Sequence, residues 1–270
     1  KAKPRNDNDI MPNYITQTGD IAAQPVRWRV NDFKPEPQRL ILVSLTDGSQ
    51  YPLSYTSLPG YNEDVLAEVK AENAKANGEK YKSAKVIRDI GLMTDWYWSQ
   101  SAMRWHSSGE QVAIMLKAFD NKDRWIATID FEKKALVPQH RLHDNAWVNY
   151  AFNDFGWLNT SNTLYFLSEE SGYSHLYRKS LTSRKAEKLT RGTFEVSNPT
   201  LTTDDNYLYF KANASHPGVY EIYRLNLANN NTEQLTKLGG MTDYTLSGDE
   251  QKLLLTHSSN LMPEDLYLMA

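Results

Sequence analysis

The sequence predicts an all-β fold, a partial β-propeller of four-stranded antiparallel blades, and three observations lead to this prediction. A turn followed by a short apolar strand recurs along the chain, a second hairpin follows it, and apolar and aromatic residues alternate within the strands, which supplies packing on both faces. Repeats of about 40 to 50 residues are typical of propeller blades. Because one such sheet cannot bury both of its faces alone, the sheets are expected to stack around an axis.

The first repeat is a polar turn that leads into an apolar strand. Its four copies begin at Trp105, Trp157, Leu201 and Leu246. The matching strand positions are Val112, Leu164, Leu208 and Leu253, which are 52, 44 and 45 residues apart. A β-sandwich is the alternative, but a sandwich does not need to repeat its hairpins in register.

The second repeat is a hairpin that follows the first. Its copies begin at Arg124, Leu176, Ile222 and Leu266. An upstream copy begins at Arg39, where Asp47-Gly48 predicts a two-residue turn. We therefore expect a single propeller fragment over 1–270, with blades at about 99–152, 153–197 and 198–243 and partial blades at 1–98 and 244–270.

One helix is expected between Glu63 and Ala76, with Asn62 as its N-cap. The segment is rich in Ala, Glu and Lys and offers few residues to a core, so we interpret it as a surface insertion. The alternative is an interaction helix, whose short apolar stripe would consist of Val65, Leu66 and Val69.

Composition limits the classes of function. The formal net charge is −3 with both signs interspersed, so no basic surface for nucleic acid is expected. The chain has no cysteine, which excludes disulfides and cysteine-based zinc sites. No apolar run approaches the roughly 20 residues of a membrane span.

The start at Lys1, without Met or a targeting stretch, favours a segment of a larger protein over a mature chain left by signal removal.

No cofactor or metal site is expected. His140 and His143 are spaced as a helical metal pair would be, but their segment has the pattern of a strand. Neither of the common glycine-rich phosphate loops occurs. Trp105 and Trp157 hold equivalent repeat positions and are expected to pack between blades, whereas Trp96 and Trp98 are less constrained and could lie on the surface.

Three motifs carry a resemblance to a known family. They are the run FLSEESGYSHLY at 166–177, the run LTRGTFEV at 189–196 and the run YLYF at 207–210. The series resembles the N-terminal propeller of dipeptidyl peptidase IV-like serine peptidases, in the prolyl oligopeptidase family. Asp120–Trp125 and Asp144–Trp147 are similar to bacterial members, and the resemblance covers about residues 35–270.

The resemblance implies a two-part peptidase in which a propeller caps a C-terminal α/β-hydrolase domain and admits peptides by size. The hydrolase signature Gly-x-Ser-x-Gly is absent here, and Gly172-Tyr-Ser174 is the nearest sequence. We therefore expect no catalytic residue in this chain, with the serine, aspartate and histidine lying beyond Ala270. Glu169-Glu170 is expected to be a solvated blade turn and not the family's amino-terminal anchor.

Tyr150 is the one candidate substrate-binding residue. In the resembled peptidases the connection that corresponds to Trp147–Asp154 faces the cavity shared with the hydrolase domain. Simple packing between blades is the alternative role for Tyr150. Whether the parent protein would be a dipeptidyl peptidase or an oligopeptidase stays open.

The expected partners are peptide substrates, which would bind in the parent's cavity, and the hydrolase domain in cis. Exposed blade edges and faces predict self-association of the chain. The resemblance alone suggests a periplasmic or secreted location. The alternative function is a free-standing TolB-type propeller that binds proteins or peptides. A propeller glycosidase or lectin would need paired carboxylates across a cleft, which a sequence cannot show.

Overall fold

The computed structural model describes residues 8–28, 38–93 and 101–270, and the chain forms two units, 1–37 and 38–270. In the first unit, strands β1 (Asn8–Asn13) and β2 (Ala22–Trp28) form an antiparallel hairpin. All further elements belong to the second unit.

The second unit begins with a hairpin of β3 (Leu40–Val43) and β4 (Gln50–Leu53), followed by a 3-10 turn at Tyr55–Ser57. The predicted two-residue turn is wrong, because a six-residue loop connects the strands. The Asp47 carboxylate accepts hydrogen bonds from the Ser49 backbone N–H at 3.1 Å and the Ser49 hydroxyl at 2.7 Å, which stabilises the wider loop.

The helix α1 spans Ala67–Ala76, which confirms the expected helix and its end, but it begins four residues after Glu63 and Asn62 is not its cap. The Asn62 carbonyl instead accepts from the Val86 N–H at 3.0 Å. The Asp64 carboxylate binds the Lys70 ammonium at 2.7 Å and also accepts from the Tyr81 hydroxyl, which holds the residues before the helix in a turn. α1 contains no buried residue, as a surface insertion requires. Within the described ranges, no helix has the length and apolar character to cross a membrane.

Four sheets follow. The first contains β5 (Ile90–Leu92), β6 (Met103–Trp105), β7 (Val112–Ala118), β8 (Asp123–Asp130) and β9 (Ala135–His143). The second contains β10 (Phe155–Trp157), β11 (Thr163–Ser168), β12 (His175–Ser180) and β13 (Glu187–Lys188). The third contains β14 (Val196–Leu201), β15 (Tyr207–His216), β16 (Val219–Asn226) and β17 (Thr232–Gln234). The fourth contains β18 (Met241–Leu246), β19 (Leu253–Ser259) and β20 (Met262–Met269).

The strands of the second, third and fourth sheets pair antiparallel in chain order, as do β7, β8 and β9 of the first sheet. β5 and β6 both pair with β7, so the first sheet takes up a strand that precedes residue 99. Trp96 and Trp98, between these two strands, lie outside the described residues. The third and fourth sheets are joined by one parallel bridge between Tyr220 and Met241. The exact division of the chain into blades stays a prediction.

The sheets pack face to face, and alternate residues of one strand enter different cores. In β7, Ile114 and Leu116 pack in a core that contains Leu53 of the preceding hairpin. Ala113 and Met115 lie on the other face, in a core that contains residues of the second sheet. Burial of both faces of β7 is what stacking between blades requires.

Two further cores continue the stack. One joins Leu167 of the second sheet to Leu208 of the third, and the other joins Ile222 of the third to Leu255 of the fourth. The second unit thus has the propeller-like all-β fold that the repeats predict.

The two repeat-equivalent tryptophans have different surroundings. Trp157 is 6% exposed and donates its indole N–H to the Arg104 carbonyl at 2.8 Å. Trp105 is 60% exposed, so its expected role as a core residue is wrong. Its ring stacks on Phe131 of the same sheet with centroids 6.0 Å apart, instead of entering the next core.

Acidic side chains connect the turns of neighbouring sheets. Asp205 of the third sheet accepts from the backbone N–H groups of Asn159 and Thr160, both at 2.7 Å. Forty-five residues later, Glu250 of the fourth sheet accepts from the Thr203 N–H at 2.7 Å. Both acids adopt a φ of 58°, so they hold the same turn position in successive repeats. We call these contacts the turn clasps.

Candidate functional site

A cavity of about 480 Å³ lies between the connection that precedes β10 and the third and fourth sheets. We call it the inter-sheet cavity. Its lining includes Tyr150, Phe152, Glu195, Lys211, Tyr220 and Asp243. The expected candidate Tyr150 therefore lies on a cavity wall, although its contact with a substrate stays a prediction.

Tyr150 is held in place by contacts from both of its ends. Its hydroxyl donates to the Asn121 side-chain oxygen, and its carbonyl accepts from the Asn153 side-chain amide. The ammonium of Lys117 lies 4.8 Å from the centre of the ring. Burial raises the pKa of Tyr150, with a further contribution from the Asp120 carboxylate, so the hydroxyl keeps its proton at neutral pH.

Arg124 supports the wall of the inter-sheet cavity from its buried side. This side chain is 1% exposed and donates to the carbonyl of Phe152, to the Asn153 side-chain oxygen at 2.6 Å and to the Leu167 carbonyl at 2.8 Å. Burial lowers the pKa of Arg124 to about 10, while the charge of Glu169 opposes that shift. Among the described residues, its Nε has no hydrogen-bond partner. Arg124 was not predicted as a site residue, although strand alternation places it on the same face as the buried Ile126.

The adjacent glutamates of the second sheet's turn differ from each other. Burial raises the pKa of Glu169, whereas a hydrogen bond from His140 lowers the pKa of Glu170. The His140 Nε2 lies 2.8 Å from the Glu170 carboxylate and joins two sheets. The turn was predicted correctly, but its description as merely solvated is wrong, because both carboxylates interact with neighbouring elements. His143 contacts a different acid, Asp123, at 3.0 Å.

The charged groups on the far side of the inter-sheet cavity are not evenly paired. The Lys211 ammonium lies 2.5 Å from the Asp243 carboxylate and 5.6 Å from the centre of the Tyr220 ring. The Glu195 carboxylate accepts a long hydrogen bond from the Tyr220 hydroxyl, at 3.4 Å. Within the part of the chain that the structure describes, it has no basic partner. Burial, and next the charge of Glu195, raise the pKa of Tyr220, which therefore donates as a neutral phenol.

The backbone of Glu195 is fixed next to β14. Its N–H donates to the Asn213 side-chain oxygen at 2.7 Å, and the Asn213 N–H donates back to the Glu195 carbonyl at 3.3 Å. Glu195 was not predicted either, even though it lies in the LTRGTFEV run at 189–196. No local signal could have found it, because its neighbours come from strands 18 to 25 residues away.

Ser174 lies in the sequence nearest to the hydrolase signature, and its hydroxyl is hydrogen-bonded to the backbone. It is fully buried, and its hydroxyl donates to the Val196 carbonyl at 2.8 Å. The neighbouring His175 contacts the Thr190 hydroxyl at 2.9 Å and the Gly192 carbonyl at 3.1 Å. These contacts give Ser174 no base of the kind that activates a nucleophile. The inter-sheet cavity is instead suited to binding, through carboxylates, amides and aromatic faces.

The comparisons with known proteins agree with this architecture. The family described as the dipeptidyl peptidase IV (DPP IV) N-terminal region matches residues 66–264. No curated protein sequence matches the chain.

Three solved structures are similar to the chain. The dipeptidyl peptidase 4 of Porphyromonas gingivalis has a TM-score of 0.61 and 13% identity, over 97% of this chain and 32% of its own. A Bacteroides ovatus protein assigned as a dipeptidyl aminopeptidase IV has a TM-score of 0.61 and 12% identity, over 97% and 35%. TolB of Acinetobacter baumannii has a TM-score of 0.45 and 18% identity, over 71% and 44%.

The chain thus spans about a third of the length of the two peptidases, which show its fold. The family match covers most of the 270 residues and includes the predicted motifs. The chain belongs to the family of dipeptidyl peptidase IV N-terminal regions.

Proposed function

We propose that this chain is the non-catalytic, substrate-gating propeller of a serine peptidase, and that peptides contact it in the inter-sheet cavity. The α/β-hydrolase domain would lie C-terminal to it and supply the serine, aspartate and histidine of an acyl-enzyme mechanism. The family match and the chain's share of the two peptidase structures support this proposal.

One observation carries the peptide-binding part of the proposal. The inter-sheet cavity has a volume of about 480 Å³ and combines aromatic walls with a few convergent polar groups. Known ligand sites occupy about 300 to 1,000 Å³ and have this kind of lining. Tyr150, fixed by Asn121 and Asn153, would offer its ring to a peptide without moving.

The absence of Gly-x-Ser-x-Gly and the backbone-bound hydroxyl of Ser174 support a non-catalytic role. The purified chain should release no product from a chromogenic prolyl dipeptide substrate, measured by absorbance. Hydrolysis that persists after contaminants are excluded would overturn the non-catalytic role.

Peptide binding is tested separately, by fluorescence anisotropy with a labelled peptide. Tyr150→Ala should weaken binding by about tenfold, because it removes one aromatic wall. Tyr173→Ala is the matched control, since that tyrosine is equally exposed and does not line the inter-sheet cavity. Equal effects of the two substitutions would contradict a role for Tyr150.

We also propose that the chain self-associates. In the fourth sheet, Leu254, Leu266 and Leu268 are 46%, 64% and 68% exposed, which presents an apolar surface to a partner. Light scattering over a concentration series should show a mass that rises with concentration, and a constant monomer mass would contradict this. A periplasmic or secreted location is a proposal that rests on the family alone.

A further inference from the structure

We infer that the inter-sheet cavity selects peptides with a basic side chain, and that Glu195 is the residue that determines this specificity. The inference rests on the proposed function, because it assumes that peptides enter this cavity. It goes further in naming both the chemical class of the ligand and the group that recognises it.

The charge of the inter-sheet cavity is the first argument. Its lining carries three carboxylates, of Asp154, Glu195 and Asp243, but one ammonium, of Lys211. Lys211 is already paired with Asp243 at 2.5 Å, and Asp154 has interactions of its own. Glu195 is left with a long hydrogen bond from a neutral phenol. An incoming cation would therefore complete the pairing of a carboxylate that is partly removed from water.

The apolar part of the lining is the second argument. Phe152 is buried on the wall, and Met241 and the Tyr220 ring border the same space as Glu195. Lysine and arginine place an apolar stem of three or four methylene groups along such surfaces and carry their charge at the end. A peptide's amino terminus has no such stem, and an acidic side chain would meet repulsion from Glu195.

The aromatic rings of the lining are a third feature, which is independent of the carboxylates. Two tyrosine rings of the lining already have a lysine ammonium near their faces, with Lys117 at 4.8 Å from the centre of Tyr150 and Lys211 at 5.6 Å from that of Tyr220. Both distances lie within the range of cation–π attraction. These internal contacts show that both rings interact with ammonium groups, so aromatic walls of this kind are compatible with a cationic ligand.

The experiment compares three acetylated, labelled peptides that differ at one position, which is lysine, norleucine or glutamate. Anisotropy titrations with the 270-residue chain should give about tenfold tighter binding for lysine than for norleucine, and the weakest binding for glutamate. Glu195→Gln should abolish the preference for lysine and leave norleucine binding unchanged. Glu110→Gln, an exposed carboxylate outside the inter-sheet cavity, should change neither.

The outcomes separate the inference from the proposed function. Equal binding of the lysine and norleucine peptides to the wild-type chain, which needs no variant to fold, overturns the inference and leaves peptide binding intact. Absence of binding by all three peptides overturns both. A norleucine peptide with a free amino terminus that binds as tightly as the acetylated lysine peptide shows that the amino terminus is recognised, which also overturns the inference.

Discussion

The second and fourth sheets have similar apolar strands but very different burial. In the second sheet, Leu164 and Leu167 lie on opposite faces and both are fully buried. In the fourth sheet, Leu255 is buried, whereas Leu254 next to it is 46% exposed. Alternation in the sequence therefore prepares both faces of a sheet for packing, but the neighbouring sheets decide which face is buried. Four predictions test this comparison, beginning with the largest expected effect.

A leucine-to-alanine substitution should reduce the stability of the protein far more in the second sheet than in the fourth. Leu164→Ala should reduce the free energy of unfolding by about 2 to 5 kcal/mol, because it leaves a cavity in a core between two sheets. Leu268→Ala should change it by less than about 0.5 kcal/mol. Urea denaturation followed by circular dichroism measures both. Similar losses would mean that the outer face of the fourth sheet is covered in solution.

Two arginines extend the comparison from apolar to charged groups. Arg124→Met should cost about 3 kcal/mol, because it leaves the carbonyls of Phe152 and Leu167 without their buried donor. Arg224→Met removes a cross-strand ion pair with Glu233 at the outer edge of the third sheet and should cost less than about 1 kcal/mol. The same denaturation assay applies, and an equal cost for both variants would refute the role of Arg124 as a buried support.

The turn clasps should differ in strength. Asp205→Ala removes hydrogen bonds from the backbone N–H groups and from the side chains of Asn159 and Thr160, which connect the second and third sheets, and should cost about 2 kcal/mol. Glu250→Ala removes one, between the third and fourth sheets, and should cost about half as much. Each variant is the control for the other, since both residues have a φ of 58° and any backbone strain cancels. Thermal denaturation would contradict the comparison if Glu250→Ala were the more damaging.

The smallest effect concerns pH. Burial lowers the pKa of His175 in the second sheet below its usual 6.5. The unfolded chain then binds a proton before the folded chain does, so this residue should reduce stability as the pH falls below 6.5. The midpoint of thermal unfolding should decrease between pH 7 and 5, and His175→Gln should decrease less. An identical decrease in both proteins would rule out His175 as a cause.

Much of the fold could be predicted from the sequence, because its repeats are local. The matched positions Val112, Leu164, Leu208 and Leu253 all lie at the first or second residue of a strand, in β7, β11, β15 and β19. One failure, the start of α1, arose where contacts from outside the capping positions override local preference. α1 begins later than predicted because Asp64 binds Lys70 and Tyr81, which holds the preceding residues in a turn, and capping preferences do not take such contacts into account.

The candidate site could be predicted only in part. Tyr150 was named through the family resemblance, and the structure places it on a cavity wall. Arg124 and Glu195 were missed because their partners come from other strands. Glu169 and Glu170 show the same limit, since burial raises the pKa of the first and a hydrogen bond from His140 lowers the pKa of the second.

The third and fourth sheets are joined by a single parallel bridge, and this bridge lies at the border of the inter-sheet cavity. Tyr220 and Lys211 stand on one side of it, and Met241 and Asp243 on the other. At that bridge, the Tyr220 N–H donates to the Gly240 carbonyl at 2.7 Å. A ligand in the inter-sheet cavity would therefore contact residues of both sheets. Amide hydrogen exchange at Tyr220 would report whether its binding changes the bridge between them.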